Sequence, residues 1–533
     1  MDIMKRSYLI LINFKIKIGG MSLIPKALTI DCGTQSIRAL LFDVNGNLLK
    51  KSKKTFKPYF SPKPGWAEQN PELYYEKLCQ ACKEIMHDLD CENEIVGVSI
   101  TTFRDSFINL GKDLKPLRPA IIWLDQRESK KYKPLPFDKA IQVKIVGMSR
   151  AVESFMKSYK VNWIKENQKE IWDKTFKYVM ISTYLNFKLT NELRDGAASQ
   201  VGQIPLDFKK VCWAKKRNLK KYIFPIEEDK LVEIVPAGEI LGYITEKASC
   251  ETGIPTGIPV IASGSDKGCE TYGNGCLKPN VASISLGSST TIQTTIDKYK
   301  EVVRFIPPYP SVINGMYNPE FQVRRGYWMI SWFKSEFAQK EVLEAKKKGI
   351  SPEMLLNQEL KSIPPGSNGL LLQPYWGAEL KRPEARGAMI GFSSVHTRHH
   401  IYRAIIEGIG YALLDGMYMI EKKLGVEIEE LAISGGGAQS DEICQISADM
   451  TNKIVYRVQT HETSGLGAAM VVFEGLDYFN SPYEAVDAMV HKTDYFYPNS
   501  KNVEIYKTLY NDLYKNMYTR LRPLYNEIKN MAE

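Results

Sequence analysis

The sequence predicts an α/β protein of two domains, each a mixed sheet flanked by helices. Three observations carry this expectation. The chain has 533 residues, more than one hydrophobic core organises, so domains of about 200–250 residues follow. A strand, a turn of small hydroxyl-bearing residues and a second strand occur near the start and again in the middle of the chain. Amphipathic helical stretches alternate with the strands.

In chain order, the first pattern is Leu28-Thr-Ile-Asp-Cys-Gly-Thr-Gln-Ser-Ile-Arg-Ala-Leu-Leu-Phe-Asp43, followed by Asn45-Gly46 and Leu48-Leu49. It reads as two apolar strands about a Gly/Thr/Ser turn. Ile95 to Ile100 reads as a buried strand, Lys112 to Lys115 as a turn and Ala120 to Trp123 as a strand end. Val161 to Leu189 carries apolar residues at helical spacing and is expected to cover the sheet with helices. A second half opens after Gly257 to Gly264. There Val281 to Leu286 and Thr290 to Thr295 read as strands about the turn Gly287 to Ser289, an internal echo of the first pattern. Val503 to Lys529 reads as a long terminal helix. The domain expectation is therefore 1–26 as a disordered or mis-started extension, 27–272 as the first domain and 273–533 as the second.

The composition, 44% hydrophobic and 25% charged, is that of a globular protein. The net charge of +10 is spread among interleaved acids, which argues against nucleic acid as a partner. Nine cysteines at irregular spacing argue against a disulfide framework and for a reducing compartment, the cytoplasm. Cys79 and Cys82 form a CxxC without a second pair and read as helix-face residues. In the N-terminal stretch Lys15 and Lys17 interrupt the apolar run from Tyr8 to Phe14, too short to span a bilayer, so no membrane segment is expected. Met21 offers an alternative start.

Asp31-Cys-Gly-Thr-Gln-Ser-Ile-Arg38 has the residue types of a phosphate-binding turn. Thr34, Gln35 and Ser36 supply donors, Arg38 a delocalised charge, and Asp31 a carboxylate able to hold Mg2+ through water. Read alone, it is equally a glycine-containing hairpin turn. Neither a Walker A sequence nor a G-x-G-x-x-G between strand and helix is present, so another nucleotide scaffold is required.

Gly387-Ala-Met-Ile-Gly-Phe, His400-Ile-Tyr-Arg-Ala-Ile-Ile-Glu407 and Ser434-Gly-Gly-Gly-Ala-Gln-Ser-Asp441 follow in order. With the first turn, they resemble the FGGY carbohydrate kinases, the family of glycerol kinase and xylulokinase, from about Ala27 to Asn499. The resemblance implies two actin-like (ribonuclease H-like) ATPase domains with an interdomain cleft, ATP and Mg2+ as the phosphoryl source, and a small sugar or polyol as acceptor. It implies that Asp266, in Ala262-Ser-Gly-Ser-Asp-Lys-Gly, is the catalytic base and also touches the substrate. Arg104 and Asp105 resemble the family's Arg-Glu pair, and Trp123 and Asp125 its following substrate contacts. Ser288, Gly326, Ser331, Gly437 and Asp441 join the first turn as nucleotide contacts.

Some positions depart from the pattern. Asp105 is one methylene shorter than glutamate, Asp441 accepts only where asparagine also donates, and Tyr327 and Trp328 stand where small residues are usual. His396-Thr-Arg-His-His400 reads as a helix cap rather than a zinc site. A homodimer or homotetramer is compatible with the sequence. The alternatives to a kinase are a non-catalytic sugar or nucleotide sensor with the same cleft, and an actin- or chaperone-like ATPase, which leaves Arg104, Asp105, Trp123 and Asp125 unexplained.

Overall fold

The structure, a computed structural model, describes residues 24–87, 95–303, 306–376, 382 and 384–532. Of the N-terminal stretch expected to be an extension, residues 1–23 lie outside the described residues. Two compact units interleave along the chain. The first holds the residues up to Gly273, with Tyr309–Met316 and Ser464–Val490; the second holds Asn274–Pro308, Tyr317–Thr463 and the residues from His491.

In the first unit, β1 (Lys26–Cys32) and β2 (Ser36–Asp43) pair antiparallel about the Gly33 turn. β3 (Leu48–Thr55) extends them as a sheet edge. Its run of Lys50, Lys51, Lys53 and Lys54 suits an edge, because charge discourages another chain from adding a strand. α1 (Pro71–His87) buries Tyr74, Leu78, Ala81, Cys82 and Ile85 at helical spacing against β2 and β3. Cys79 and Cys82 are thus helix residues, and no metal-holding cluster of His, Cys, Asp or Glu occurs among the described residues. β4 (Ile95–Thr102) is buried at every position, as expected of a strand covered on both faces. With β5 (Ile240–Tyr243) and β6 (Pro259–Ile261), the sheet order is β5-β6-β4-β1-β2-β3. α2 (Asp266–Gly273) follows β6 through a four-residue loop.

Val161 to Leu189 is not helical throughout. Helices Lys160–Asn167, Lys169–Lys174 and Ile181–Thr190 are interrupted by the strand Lys177–Met180, which pairs with Phe107–Leu110. Four residues are too few for a period of two to show, and their apolar side chains extend the helical pattern on either side.

The second unit repeats the arrangement. β7 (Val281–Leu286), β8 (Thr290–Thr294) and β9 (Glu320–Val323) form an antiparallel meander. After α3 (Arg398–Leu424), β10 (Glu430–Ser434) adds parallel to β7; then α4 (Asp441–Thr451), β11 (Ile454–Val458) and the antiparallel edge β12 (Lys492–Phe496) complete the order β9-β8-β7-β10-β11-β12. Read from the meander inward, both sheets follow the sequence antiparallel, antiparallel, parallel, parallel, antiparallel. The echo seen in the two turns therefore extends over both whole sheets.

In α3, Arg403 and Glu407 lie one turn apart and pair at 2.7 Å. Glu407 also accepts from Gly366 N, Ser367 Oγ and the Tyr506 hydroxyl, while Arg403 donates to the carbonyls of Leu360 and Ile363. These buried charges bolt the terminal helix and the loop before Gly366 onto α3. Thr397 and His400 form a reciprocal cap at its start, which gives His400 its place in the histidine-rich run, while His396 meets the Ser367 carbonyl. The terminal segment is helical as expected, in two pieces, Ser500–Thr508 and Lys515–Ala532, joined by a π-helical turn. No helix among the described residues is long and apolar enough to cross a membrane.

Candidate active site

Asp266 is the first residue of α2, and hydroxyls of the neighbouring strand fix the loop that presents it. Ser99 and Thr101 of β4 donate to the carbonyls of Ile261 and Gly264, and Ser263 returns a bond to the carbonyl of Ile100. A Cβ on Gly264 would stand 2.5 Å from Val312 Cγ1, so any larger residue would have to displace that side chain. Ser265 caps α2 by accepting from Gly268 N, and the same oxygen accepts from Arg104 Nε at 3.2 Å.

Arg104 lies 3.8 Å from the Asp266 carboxylate, its guanidinium over the Tyr309 ring. About 27% of the Asp266 side chain remains exposed. Burial by the surrounding loop raises its pKa above the ordinary carboxylate range, against the opposing pull of Lys267 and Arg104. Lys267, whose Nζ meets Glu270 at 2.9 Å, is kept protonated: burial alone would lower its pKa, but Glu270 and Asp266 raise it on balance.

Asp105 has a positive φ of 53°, a conformation that costs a non-glycine residue of order 1 kcal/mol and that functional sites concentrate. It is held by the segment after Asp195. Asp105 N donates to the carbonyl of Val201, and its Oδ1 accepts from Gln203 N at 2.7 Å. The same segment receives Ser265 N at the Ala198 carbonyl. Its anchor is Asp195, a wholly buried carboxylate that accepts from Ser182, Thr183, Asn186, Gln200 and Gly196 N. Burial pushes Asp195 up to about 6 in spite of these donors.

The Gly33 turn lies beside this group. Gly33 N bonds the Ser36 carbonyl at 2.9 Å, closing the turn tightly, and Thr34 Oγ1 accepts from Trp123 Nε1 at 3.0 Å. Trp123 N donates to Ser106 Oγ, which in turn donates to the Arg104 carbonyl. The expected phosphate turn and the expected substrate residues are thus one hydrogen-bonded assembly. Asp31 and Arg38, opposite each other on β1 and β2, pair at 2.6 Å. Gln35 is exposed and Ser36 half-buried at the turn.

Asp125 must be removed from the expected substrate contacts. Its carboxylate has no exposed surface and is occupied by Ala67 N, by a two-pronged bond from Arg127 and by Lys160. Arg127 also meets Glu68 and lies over the rings of Trp66 and Trp163. The residue secures the turn that carries Trp123 and has no free edge for a sugar hydroxyl.

Within the second unit, Ser288, Gly326 and Gly437 converge at the ends of β7 and β10. The Ser288 carbonyl accepts from Trp328 N. A Cβ on Gly326 would lie 1.9 Å from Thr290 Oγ1, and one on Gly437 would lie 2.4 Å from the Tyr327 ring. Packing alone therefore accounts for both glycines, and Tyr327 takes up the space left beside Gly437. Ser331 is exposed on the helix Trp328–Phe337. Asp441, in the first turn of α4, is exposed and paired with Arg457. Sequence reasoning missed Lys267, Asp195 and Tyr309. The i, i+3 spacing of Lys267 and Glu270 within the Asp266 segment was a usable signal; Tyr309 joins from a distant part of the chain and offered none.

Comparison with known proteins gives a consistent result. Residues 26–273 match the N-terminal domain and residues 282–473 the C-terminal domain of the FGGY family of carbohydrate kinases. The chain is 29% identical to a sugar kinase of Escherichia coli K12 described as uncharacterised, over 92% of each protein. It is 28% identical to a xylulose kinase of Bacillus subtilis, over 95% of this chain and 99% of that one. A solved xylulose kinase from Lactobacillus acidophilus superposes with a TM-score of 0.79 at 22% identity, covering 95% of this chain and all of the other; at that identity the likeness speaks to the fold.

Proposed function

The chain belongs to the FGGY family of carbohydrate kinases and is a phosphotransferase, and from this premise we propose that it moves the γ-phosphate of ATP onto a hydroxyl of a small sugar or polyol with Asp266 as the base. The observation that supports the role of Asp266 is its placement. It is a partly open carboxylate at a helix start, beside one arginine and one lysine, with its pKa raised toward that of a working base.

The acceptor oxygen attacks phosphorus while its proton passes to the Asp266 carboxylate, the bond from phosphorus to the bridging oxygen breaks, and ADP leaves with that oxygen. Phosphoryl transfer asks mainly for alignment and charge stabilisation, so rigid placement matters more than strong basicity. Arg104 and Asp105 donate to and accept from the acceptor hydroxyls, and Trp123 gives its carbon chain an apolar face. Thr34, Gln35, Ser36 and Arg38 receive phosphate oxygens. Ser288, Gly326, Ser331, Gly437 and Asp441 are the nucleotide contacts proposed for the second unit, with Gly326 and Gly437 acting through their backbones. Asp31, a buried carboxylate at a strand end that pairs with Arg38, would hold a Mg2+ ion through water, because this ion keeps several waters and takes few protein ligands beside a triphosphate; when bound it would neutralise phosphate charge.

Xylulose kinases among the relatives make a ketopentose the first acceptor to test. Replacing Asp266 with Asn is expected to lower sugar-dependent ADP formation by at least about a thousandfold, while ATP binding, measured by calorimetry, stays within about twofold. Full activity in that variant would overturn the assignment.

A further inference from the structure

Beside the substrate residues, Leu206–Asp207 and Cys212–Trp213 form a hairpin followed by the short helix Leu219–Ile223. Lys209, Lys210, Lys215, Lys216 and Arg217 are exposed on it, and Lys220 and Lys221 are half-buried. Asp207 is its one acid, and that carboxylate faces Lys210 N and Asn218. The acids that follow are taken up elsewhere, Glu227 by Lys165 and Glu228 by Lys221. Among the described residues, Lys210, Lys215, Lys216 and Arg217 meet no carboxylate. Cations gathered without counter-charges repel one another.

The hairpin is joined to the acceptor site by a run of close contacts. Lys220 Nζ lies 4.0 Å over the Phe208 ring, and Phe208 meets Tyr309 edge-on at 5.8 Å. Tyr309 lies 5.0 Å from the Arg104 guanidinium, and Arg104 is 3.8 Å from Asp266. The positive surface thus leads to the arginine proposed to hold the acceptor. Lys267, beside the base, is already paired with Glu270 at 2.9 Å, so Arg104 is the cation at that end of the run.

We infer that the acceptor is itself an anion, a polyol bearing a carboxylate or a phosphate away from the hydroxyl that is phosphorylated, and that the hairpin of residues 206–223 draws it in. The inference rests on the kinase reading above and narrows its substrate class. A neutral sugar gains nothing from these cations, whereas an anionic one is concentrated by them near the site, and steering of this kind raises association by ten- to a thousandfold.

The test uses the full chain with three acceptor sets at saturating ATP: five- and six-carbon aldonates, sugar monophosphates, and neutral ketoses and polyols. One anionic set is expected to give the higher kcat/KM, and which of the two does so identifies the charged group. The triple variant Lys215→Glu, Lys216→Glu, Arg217→Glu changes exposed loop residues. It should lower kcat/KM for that anion by about tenfold at low ionic strength, by less at high salt, with kcat and the KM for ATP unchanged. Equal or better use of neutral acceptors, an unaltered kcat/KM for the anion, or a raised KM for ATP in its place would overturn this inference and leave the kinase reading standing. Transfer to none of the three sets would overturn both.

Discussion

Asp125→Asn separates a structural carboxylate from a substrate contact. In the parent protein Arg127 donates to both Asp125 oxygens at 2.7–2.9 Å, Ala67 N donates at 2.7 Å and Lys160 Nζ lies 3.4 Å away. With Glu68 and Arg118, the group holds three cations and two carboxylates, all buried. Neutralising one carboxylate raises its enclosed charge from +1 to +2. An asparagine of the same shape also turns an amide donor toward groups that can only donate. Removing one partner of a buried ion pair costs about 3–5 kcal/mol, a large share of the roughly 5–15 kcal/mol that holds a domain folded. For a unit of this size that corresponds to a fall in Tm of about 5–8 °C. Thermal scans at several rates, with urea titration alongside, measure it, and the folded fraction should keep the parent KM for the sugar. A variant as stable as the parent but with a raised sugar KM would refute the reasoning and return Asp125 to the substrate site.

Two further predictions rest on the same unit. Because the pKa of Asp266 is raised in the fold, the acid limb of kcat/KM should lie above the ordinary carboxylate range. The folded protein then binds that proton more tightly than the unfolded chain, so its contribution to stability is present at low pH and lost as pH rises through the raised value; Asp266→Asn should therefore raise Tm at pH 7 and give no gain below about pH 4, which thermal scans across pH will check. Gly467→Ala would set a Cβ 1.9 Å from the Cys269 carbonyl oxygen in α2; neither backbone can yield cheaply, so stability should fall by about 1–3 kcal/mol and kcat should fall with it, and a variant with parental urea midpoint and kcat would show that α2 has room to move.

What was legible in the sequence was what the chain builds locally. The Asp31–Arg38 turn, the strands about it, their echo at Gly287, and Asp266 between Gly264 and Gly268 all lie within single short segments. Asp125 was read from its type and its neighbour Trp123, but its role is set by Ala67, Glu68, Arg118 and Lys160, which only the fold brings to it. Gly326 and Gly437 are expected, from the resemblance, as nucleotide contacts. The same absence of a side chain serves Thr290 and Tyr327, and no single sequence distinguishes the two uses. Tyr309 belongs to the first unit although the chain has by then entered the second, so its place under Arg104 could not be inferred from spacing.

The strained and the desolvated groups of the first unit share one support. Asp105 sits at a positive φ, and Asp266 carries a charge that its surroundings disfavour; each would relax if the backbone around it were free to move. Both are held by the segment from Gly196 to Gln203, which gives Ala198 and Val201 carbonyls to Ser265 N and Asp105 N and returns Gln203 N to the Asp105 carboxylate. That segment is in turn fixed by five donors converging on Asp195. A neutral residue would avoid the desolvation that pushes Asp195 up to about 6, but it would not accept all five bonds as a carboxylate does. The buried charge is therefore intelligible as the anchor that keeps the strained Asp105 and the desolvated Asp266, the proposed acceptor contact and the proposed base, in register, and its cost to stability follows from that work.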